Sequence, residues 1–268
     1  MSAVVTLRLA AVLFASMVGL AHAQSASPQT APATPYEPRS GQQGKDVIWL
    51  PTPQVVVDKM LSIAHVAATD VVIDLGSGDG RTVITAAKMG ATALGVEYNP
   101  DMVEYAKRQA AAAGVSQKAS FVKADLFETS FDHASVITMF LLPDINLKLR
   151  PKILALKPGT RIVSNTFSMG EWEPDERAEL NGQPGCESAY CTVLYWMVPR
   201  QVTGTYNVPQ GQLTLKQEFQ MLTGTLTSGG ARVELKGRVR GEDIELSVGN
   251  KRYRGRLNGN TLELRDAV

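Results

Sequence analysis

The stretch that decides the fold is VVIDLGSGDGRTVITAA, residues 71–87. An apolar run from Val71 meets an acid at Asp74, glycines follow at Gly76, Gly78 and Gly80, and an apolar segment resumes at Val83. The continuous run predicts a strand buried on both faces. The segment after the glycines predicts a helix closed by Gly90. Glycines let a backbone approach a ligand closely, and the N–H groups opening a helix are free to meet its polar atoms. A glycine turn between a first strand and a helix is the nucleotide site of open α/β sheets.

Outward from this turn the same grammar repeats. ATALGVE (91–97) reads as a second strand, PDMVEYAKRQAAAAG (100–114) as a helix, ASFVKAD (119–125) as a third strand and SVITMFLL (135–142) as a fourth. INLKLRPKILALKPG (145–159) reads as a helix in which Pro151 implies a break or a new start. TRIVSNTF (160–167) is a fifth strand, and short strands are expected near ERAEL (176–180) and at TVLYWMV (192–198). Alternation of this kind predicts an α/β fold with a doubly wound, mostly parallel sheet. Upstream, Thr52 and Pro53 predict a helix cap and first turn, with Val55, Val56, Met60, Ile63 and Ala64 as its apolar face.

After Pro199 the helices stop. GRVRGEDIEL (237–246) matches GRLNGNTLEL (255–264) at an offset of 18, and GTLTSGGARVEL (224–235) is a third copy with a longer turn. Each copy reads as a hairpin, so residues 201–268 are expected to form a small antiparallel β domain after an α/β domain of residues 46–200. Arg238, Arg240, Lys251, Arg252, Arg254 and Arg256 alternate along it, either as one basic face or as an ordinary solvated strand face.

The ends and the composition bound the rest. MSAVVTLRLAAVLFASMVGLAHAQ carries Arg8, an apolar run from Leu9 to Leu20 and Ala21-His22-Ala23, the pattern of a secretory signal peptide over residues 1–23. Residues 24–45 are rich in Ser, Pro, Gln and Ala, and read as a disordered linker. An exported, periplasmic protein without a transmembrane segment after cleavage is the expectation. Cys186 and Cys191 are the only two cysteines of the chain. They cannot fill a tetrahedral zinc site, so no metal is expected; in an oxidising compartment they form a local disulfide, and otherwise they are free thiols. A net charge of +1 in 268 residues gives no support for a nucleic-acid partner, and none is expected.

The turn itself runs G-x-G-x-G and is followed by Arg81, which fits the dinucleotide fingerprint G-x-G-x-x-G poorly. Glu97 ends the second strand, where an acid accepts hydrogen bonds from ribose hydroxyls, and Asp125 ends the third. VVIDLGSGDGR, the GVE of strand two and FVKADLF together resemble the class I S-adenosylmethionine-dependent methyltransferases, over roughly residues 46–200. DVIWLPTPQVVVDKML and LLPDINLKLRPKILALKPGTRIVSNTFSMGEW narrow the resemblance to a bacterial branch, and DLGSGDGR is similar to mitochondrial lysine methyltransferases.

The resemblance implies S-adenosyl-L-methionine as cofactor. It places Asp74 and the turn of Gly76, Ser77, Gly78 and Gly80 against the methionine part, Glu97 on the ribose, and Asp125 with Leu126 beside the adenine. Thr52, between Pro51 and Pro53, either closes over the cofactor or is an ordinary cap. The implied function is methyl transfer to a protein side chain or a small molecule; the alternative is an exported binding or scaffold protein with a retained, non-catalytic fold.

No catalytic residue is assigned. The fourth strand ends in MFLLPDIN rather than the Asn/Asp-Pro-Pro-Tyr of many N-methyltransferases, which argues against DNA-base and Gln/Asn acceptors and leaves Phe140, Leu141 and Leu142 as an apolar wall. Asp144 reads as a helix N-cap or a base. His65 lies in the first helical pattern and His133 precedes strand four; both read as structural.

Overall fold

A computed structural model describes residues 1–3 and 36–267. The expected signal peptide and most of the expected linker lie outside the described residues. From Tyr36 to Lys45, however, the linker expectation is corrected. Gln42 donates to the Tyr36 hydroxyl at 2.5 Å, Arg108 donates to the Tyr36 carbonyl at 2.7 Å, and Gln43 bridges to Ile48. A segment without apolar bulk is ordered here by polar contacts with the folded body.

The α/β part runs α1 (Gln54–Ile63), β1 (Val71–Leu75), α2 (Arg81–Lys88), β2 (Thr92–Glu97), α3 (Pro100–Ala112), β3 (Ala119–Lys123), β4 (Val136–Met139), α4 (Pro143–Leu154), β5 (Arg161–Asn165), β6 (Glu176–Glu179) and β7 (Thr192–Met197). Its strands order as β3-β2-β1-β4-β5-β7-β6, parallel from β3 to β5, with β7 antiparallel to β5 and β6 antiparallel to β7. The strand order reverses between β1 and β4, and ligand crevices of open sheets form at that switch, beyond the carboxyl ends of the strands. One core, around Val57, Leu61, Val83 and Tyr195, covers one face; a second, around Ile73, Ile137, Trp172 and Trp196, covers the other. β1 and β4 are buried nearly throughout, as central parallel strands require.

Several local expectations shift. The α1 cap is Pro53, not Thr52, and the buried face is Val56, Val57, Met60 and Leu61, with Val55 and Ile63 only part-buried. Helix α4 begins at Pro143 and runs unbroken through Pro151. Ile145, Leu149 and Ile153 hold it to the core across that residue, while Leu147, whose carbonyl the proline cannot serve, lies on the exposed side. Asp144 therefore sits in the first turn, where its charge favours the helix dipole, rather than at the cap. His65 is exposed beyond the end of α1, with φ of 48°.

Strands β8 (Gly204–Val208), β9 (Gly211–Glu218), β10 (Met221–Ser228), β11 (Ala231–Arg240), β12 (Asp243–Val248), β13 (Lys251–Asn258) and β14 (Thr261–Asp266) form an antiparallel meander in chain order. The three sequence copies are the β10–β11, β11–β12 and β13–β14 hairpins. Their leading glycines, Gly224, Gly237 and Gly255, lie where a side chain would meet the backbone of the adjoining strand, which permits tight curvature. This sheet packs on the first through Phe219, stacked on Trp172 with centroids 6.2 Å apart, and Arg238, which pairs with the buried Asp175 at 2.5 Å. Of the two readings of the alternating cations, the ordinary solvated strand face fits better: Arg240 pairs with Glu176, Arg254 with Glu245 and Arg256 with Asp243, all at the surface.

Candidate active site

A cleft of about 570 Å³ opens over the carboxyl ends of β1, β2, β3, β4 and β5, a size typical of small-molecule sites. Thr52, Asp74, Gly76, Ser77, Glu97, Asp125 and Leu126 all line it. The chain brings these residues together because adjacent parallel strands end at one level, each placing its last residues on the same rim.

Gly78 and Gly80 belong to the same turn but are set back from the lining of the cleft. An added side chain at Gly80 would meet Phe121 and Ala106 at 2.6–2.8 Å, so this glycine lets α2 start tight against α3 and β3. At Gly78 it would overlap the Trp49 indole nitrogen. The Gly78 N–H donates to Glu97 Oε2 at 3.0 Å, and Asn99 N–H donates to Glu97 Oε1 at 2.9 Å. Glu97 is thereby oriented by two backbone groups.

Asp74 is buried, and Thr138 Oγ1 on β4 donates to its Oδ1 at 2.6 Å. Burial pushes its pKa up to about 7; the Thr138 hydrogen bond opposes that shift, and the charges of Asp79 and Glu97 add to it. Asp125 is the opposite case. Lys45 Nζ reaches its Oδ2 at 2.6 Å and Phe127 N–H donates to Oδ1 at 2.9 Å, and the Lys45 contact above all holds this carboxyl below its usual range.

The segment from Gly41 to Thr52 forms one wall of the cleft. Arg81 explains its own departure from the dinucleotide fingerprint: it forms a forked pair with Asp79 and donates to the Thr52 carbonyl at 2.8 Å, pinning this wall to the glycine turn. Thr52 is held through its backbone and makes no cap. At the far end stand Phe140, Leu141 and Leu142 after β4, joined by Phe167 after β5 and by Tyr190. Lys45, Trp49, Thr138, Phe167 and Tyr190 were not legible as site residues. Only Thr138 left a signal, a polar residue inside an apolar strand. The chain supplies no residue of β8–β14 to the cleft among those described.

The ANTKMT methyltransferase domain family matches residues 74–176. A protein-lysine N-methyltransferase of Saccharolobus islandicus is 47% identical over 133 residues, covering 48% of this chain and 83% of that protein. A human ATP synthase lysine N-methyltransferase is 34% identical over 140 residues, covering 48% of this chain and 60% of its own length. The crystal structure of an RNA methyltransferase from Salinibacter ruber, in complex with S-adenosyl-L-homocysteine, is 45% identical with a TM-score of 0.53, covering 57% of this chain and 96% of that one.

The cleft fits such a ligand. Ser77 offers a buried hydroxyl with no partner among the described residues, three acids face the rim, and the Gly76 position leaves room that a side chain would fill against Leu141 at 2.9 Å. Strand order, the acids at three adjacent strand ends and these likenesses together show that the chain belongs to the class I S-adenosylmethionine-dependent methyltransferases, with S-adenosylmethionine as its cofactor.

Proposed function

We propose that this methyltransferase acts on lysine side chains of a protein. The observation that carries the reading is the acceptor end of the cleft, which is apolar and aromatic at Phe140, Leu141, Leu142, Phe167 and Tyr190. A lysine must arrive there uncharged, having lost its proton to water, because only its free lone pair can take a methyl group. An apolar wall favours the neutral amine by disfavouring the ammonium. Ile48, Tyr98 and Leu142 are large exposed hydrophobics at the cleft, which supports a macromolecular acceptor over a small polar one. The lysine methyltransferases of Saccharolobus and human origin support the same reading.

When bound, the cofactor supplies an electrophilic methyl on a positively charged sulfur. Asp74, Ser77, Glu97, Asp125 and Leu126 would hold it. Asp125 retains acceptor capacity beside Lys45 and Phe127, since a carboxylate has about four lone-pair sites. The work of the remaining residues is placement and exclusion of water, which can supply much of the rate for an in-line displacement.

Incubating the full chain with deuterated-methyl S-adenosylmethionine and a host extract tests the acceptor. Label on lysine Nε in digested protein is the expected result. Label confined to RNA, the acceptor class of the Salinibacter relative, or to small molecules would overturn it. For the cofactor contacts, Glu97→Ala should weaken S-adenosylhomocysteine binding by about 1.5–3 kcal/mol in a calorimetric titration, the range for hydrogen bonds to a charged group. Glu97→Gln should lose less, because it still accepts from Gly78 N–H. We also propose export to an oxidising compartment, a reading supported by the bridge between Cys186 and Cys191, whose Cα atoms lie 6.0 Å apart.

A further inference from the structure

Successive strands of the C-terminal sheet are joined by two-residue loops, and one loop departs from the pattern of its neighbours. Gly229, Gly241, Gly249 and Gly259 open the loops before β11, β12, β13 and β14, at φ of 57–60°. The loop before β10 opens instead with Phe219, at φ of 50°. A positive φ here favours glycine and strains a bulky residue. Strain of this kind persists only where surrounding contacts hold it.

Those contacts lie in the α/β part. Phe219 stacks on Trp172 at 11°, and the Arg150 guanidinium of α4 stands 5.3 Å from the Phe219 centroid. The next residue, Gln220, is buried and donates to the Glu173 carbonyl at 2.7 Å. Trp172 and Glu173 belong to the segment 166–175 between β5 and β6, and Arg150 clasps the same segment. Arg150 donates to the Met169 carbonyl and to Glu171, each at 2.7 Å, and Met169 bridges to Trp172. At its other end the segment carries Phe167 into the lining of the cleft, where the buried Asn146 amide donates to the Phe167 carbonyl at 3.1 Å and to the Ser168 carbonyl at 3.2 Å. A hairpin that itself stays outside the cleft is thus keyed into a segment that reaches it.

We propose that Phe219 and Gln220 are positioning residues of the active site: the β9–β10 hairpin tip fixes residues 166–175 and, through them, the place of Phe167, so that the C-terminal domain sets how well the acceptor is held. The inference rests on reading the Phe167 end of the cleft as the acceptor end. A misplacement of about 1 Å can cost on the order of 100-fold in rate even when its cause lies far from the chemistry. The acids that would hold the cofactor stand on β1, β2 and the end of β3, away from this segment, so acceptor and cofactor should respond differently.

The test uses the full chain with Phe219→Gly, which removes the ring while glycine keeps the turn, and separately Gln220→Ala. Phe219→Tyr retains the stacked ring. Leu257→Ala, in the core of the β domain, loosens that domain without touching the segment. Transfer of labelled methyl from S-adenosylmethionine to protein of a host extract is followed at saturating cofactor against extract concentration. Phe219→Gly should raise the apparent KM at least about fivefold, with Gln220→Ala in the same direction, kcat changed less, and S-adenosylhomocysteine affinity within about twofold of wild type. Phe219→Tyr should restore the wild-type KM. An unchanged KM in Phe219→Gly, an equal rise in Leu257→Ala, or an equal loss of cofactor affinity would overturn the proposal. A second measurement needs no acceptor: in chains carrying 4-fluorophenylalanine, the fluorine resonance of Phe167, identified by its loss in Phe167→Leu, should shift in Gln220→Ala and stay in place in Leu257→Ala. A wild-type chain that labels no extract protein would overturn the lysine reading, while a Phe167 resonance unmoved by Gln220→Ala would overturn the hairpin's role by itself.

Discussion

Asp74→Asn should have two effects of opposite sign: a more stable free protein at pH 8 and a weaker hold on the cofactor. The buried carboxyl has a pKa of about 7, against 3.8 for the unperturbed group. Its folded pKa is raised, so the folded state favours the protonated form. The stability that form confers is complete below about pH 4 and is lost as pH rises towards 7. Above that, the buried charge costs the free protein up to about 4 kcal/mol, an upper figure for a shift of this size. Asparagine keeps an oxygen to accept from Thr138 Oγ1 and never ionises, so thermal unfolding at pH 8 should move up by several degrees and the pH dependence between 4 and 7 should flatten. Binding runs the other way, because a cationic ligand group favours the ionised acid. Wild-type affinity for S-adenosylhomocysteine should rise about tenfold from pH 6 to pH 8 as Asp74 gives up its proton. In the asparagine variant affinity should be lower by about 10- to 100-fold at pH 8 and flat with pH. A wild-type affinity that does not change with pH would show that Asp74 plays no electrostatic part in binding.

Gly78→Val should abolish detectable cofactor binding while the chain still folds. Gly78 has φ of 52°, a left-handed state that costs a β-branched residue about 1–2 kcal/mol. Its new side chain would overlap Trp49, whose Cδ1 lies only 3.0 Å from an added Cβ. Trp49 belongs to the cleft wall, and Gly78 N–H orients Glu97, so the substitution disturbs two sides of the site at once. The loss of stability remains a fraction of what a folded domain of this kind holds, about 5–15 kcal/mol. Circular dichroism should therefore report an intact fold beside a calorimetric affinity reduced at least about 100-fold. Trp49→Ala separates the causes. If displacement of the indole were the whole effect, Gly78→Val would do no further harm in a Trp49→Ala background; further loss is expected, because the backbone state and the Glu97 contact are altered as well.

The two substitutions fall on residues that differ in how far sequence alone explained them. Asp74 and Glu97 were legible because an acid beside a glycine turn, or at the end of a predicted strand, has few other uses. Gly78 was legible as a required glycine, but one reason was hidden: an indole from 29 residues upstream occupies the space that a side chain there would need. The order of residues 36–45 and the continuity of α4 through Pro151 were misread for a related cause. Composition and propensity describe a segment by itself, whereas Lys45 is fixed by Asp125 and α4 by the core on both sides of its proline.

By itself the sequence determined the class of sheet, the succession of strands and helices, the change to hairpins after Pro199, and the acids at three strand ends. These are signals of period and turn chemistry, carried within a few residues. Tertiary structure alone decided which side chains from distant strands share a wall. It set Thr138 against Asp74, Trp49 over Gly78, and Phe140, Phe167 and Tyr190 around one point, and it gave the β-domain arginines their acidic partners. The physical reason is that such contacts depend on strand order and on where a chain returns, and no local pattern encodes either.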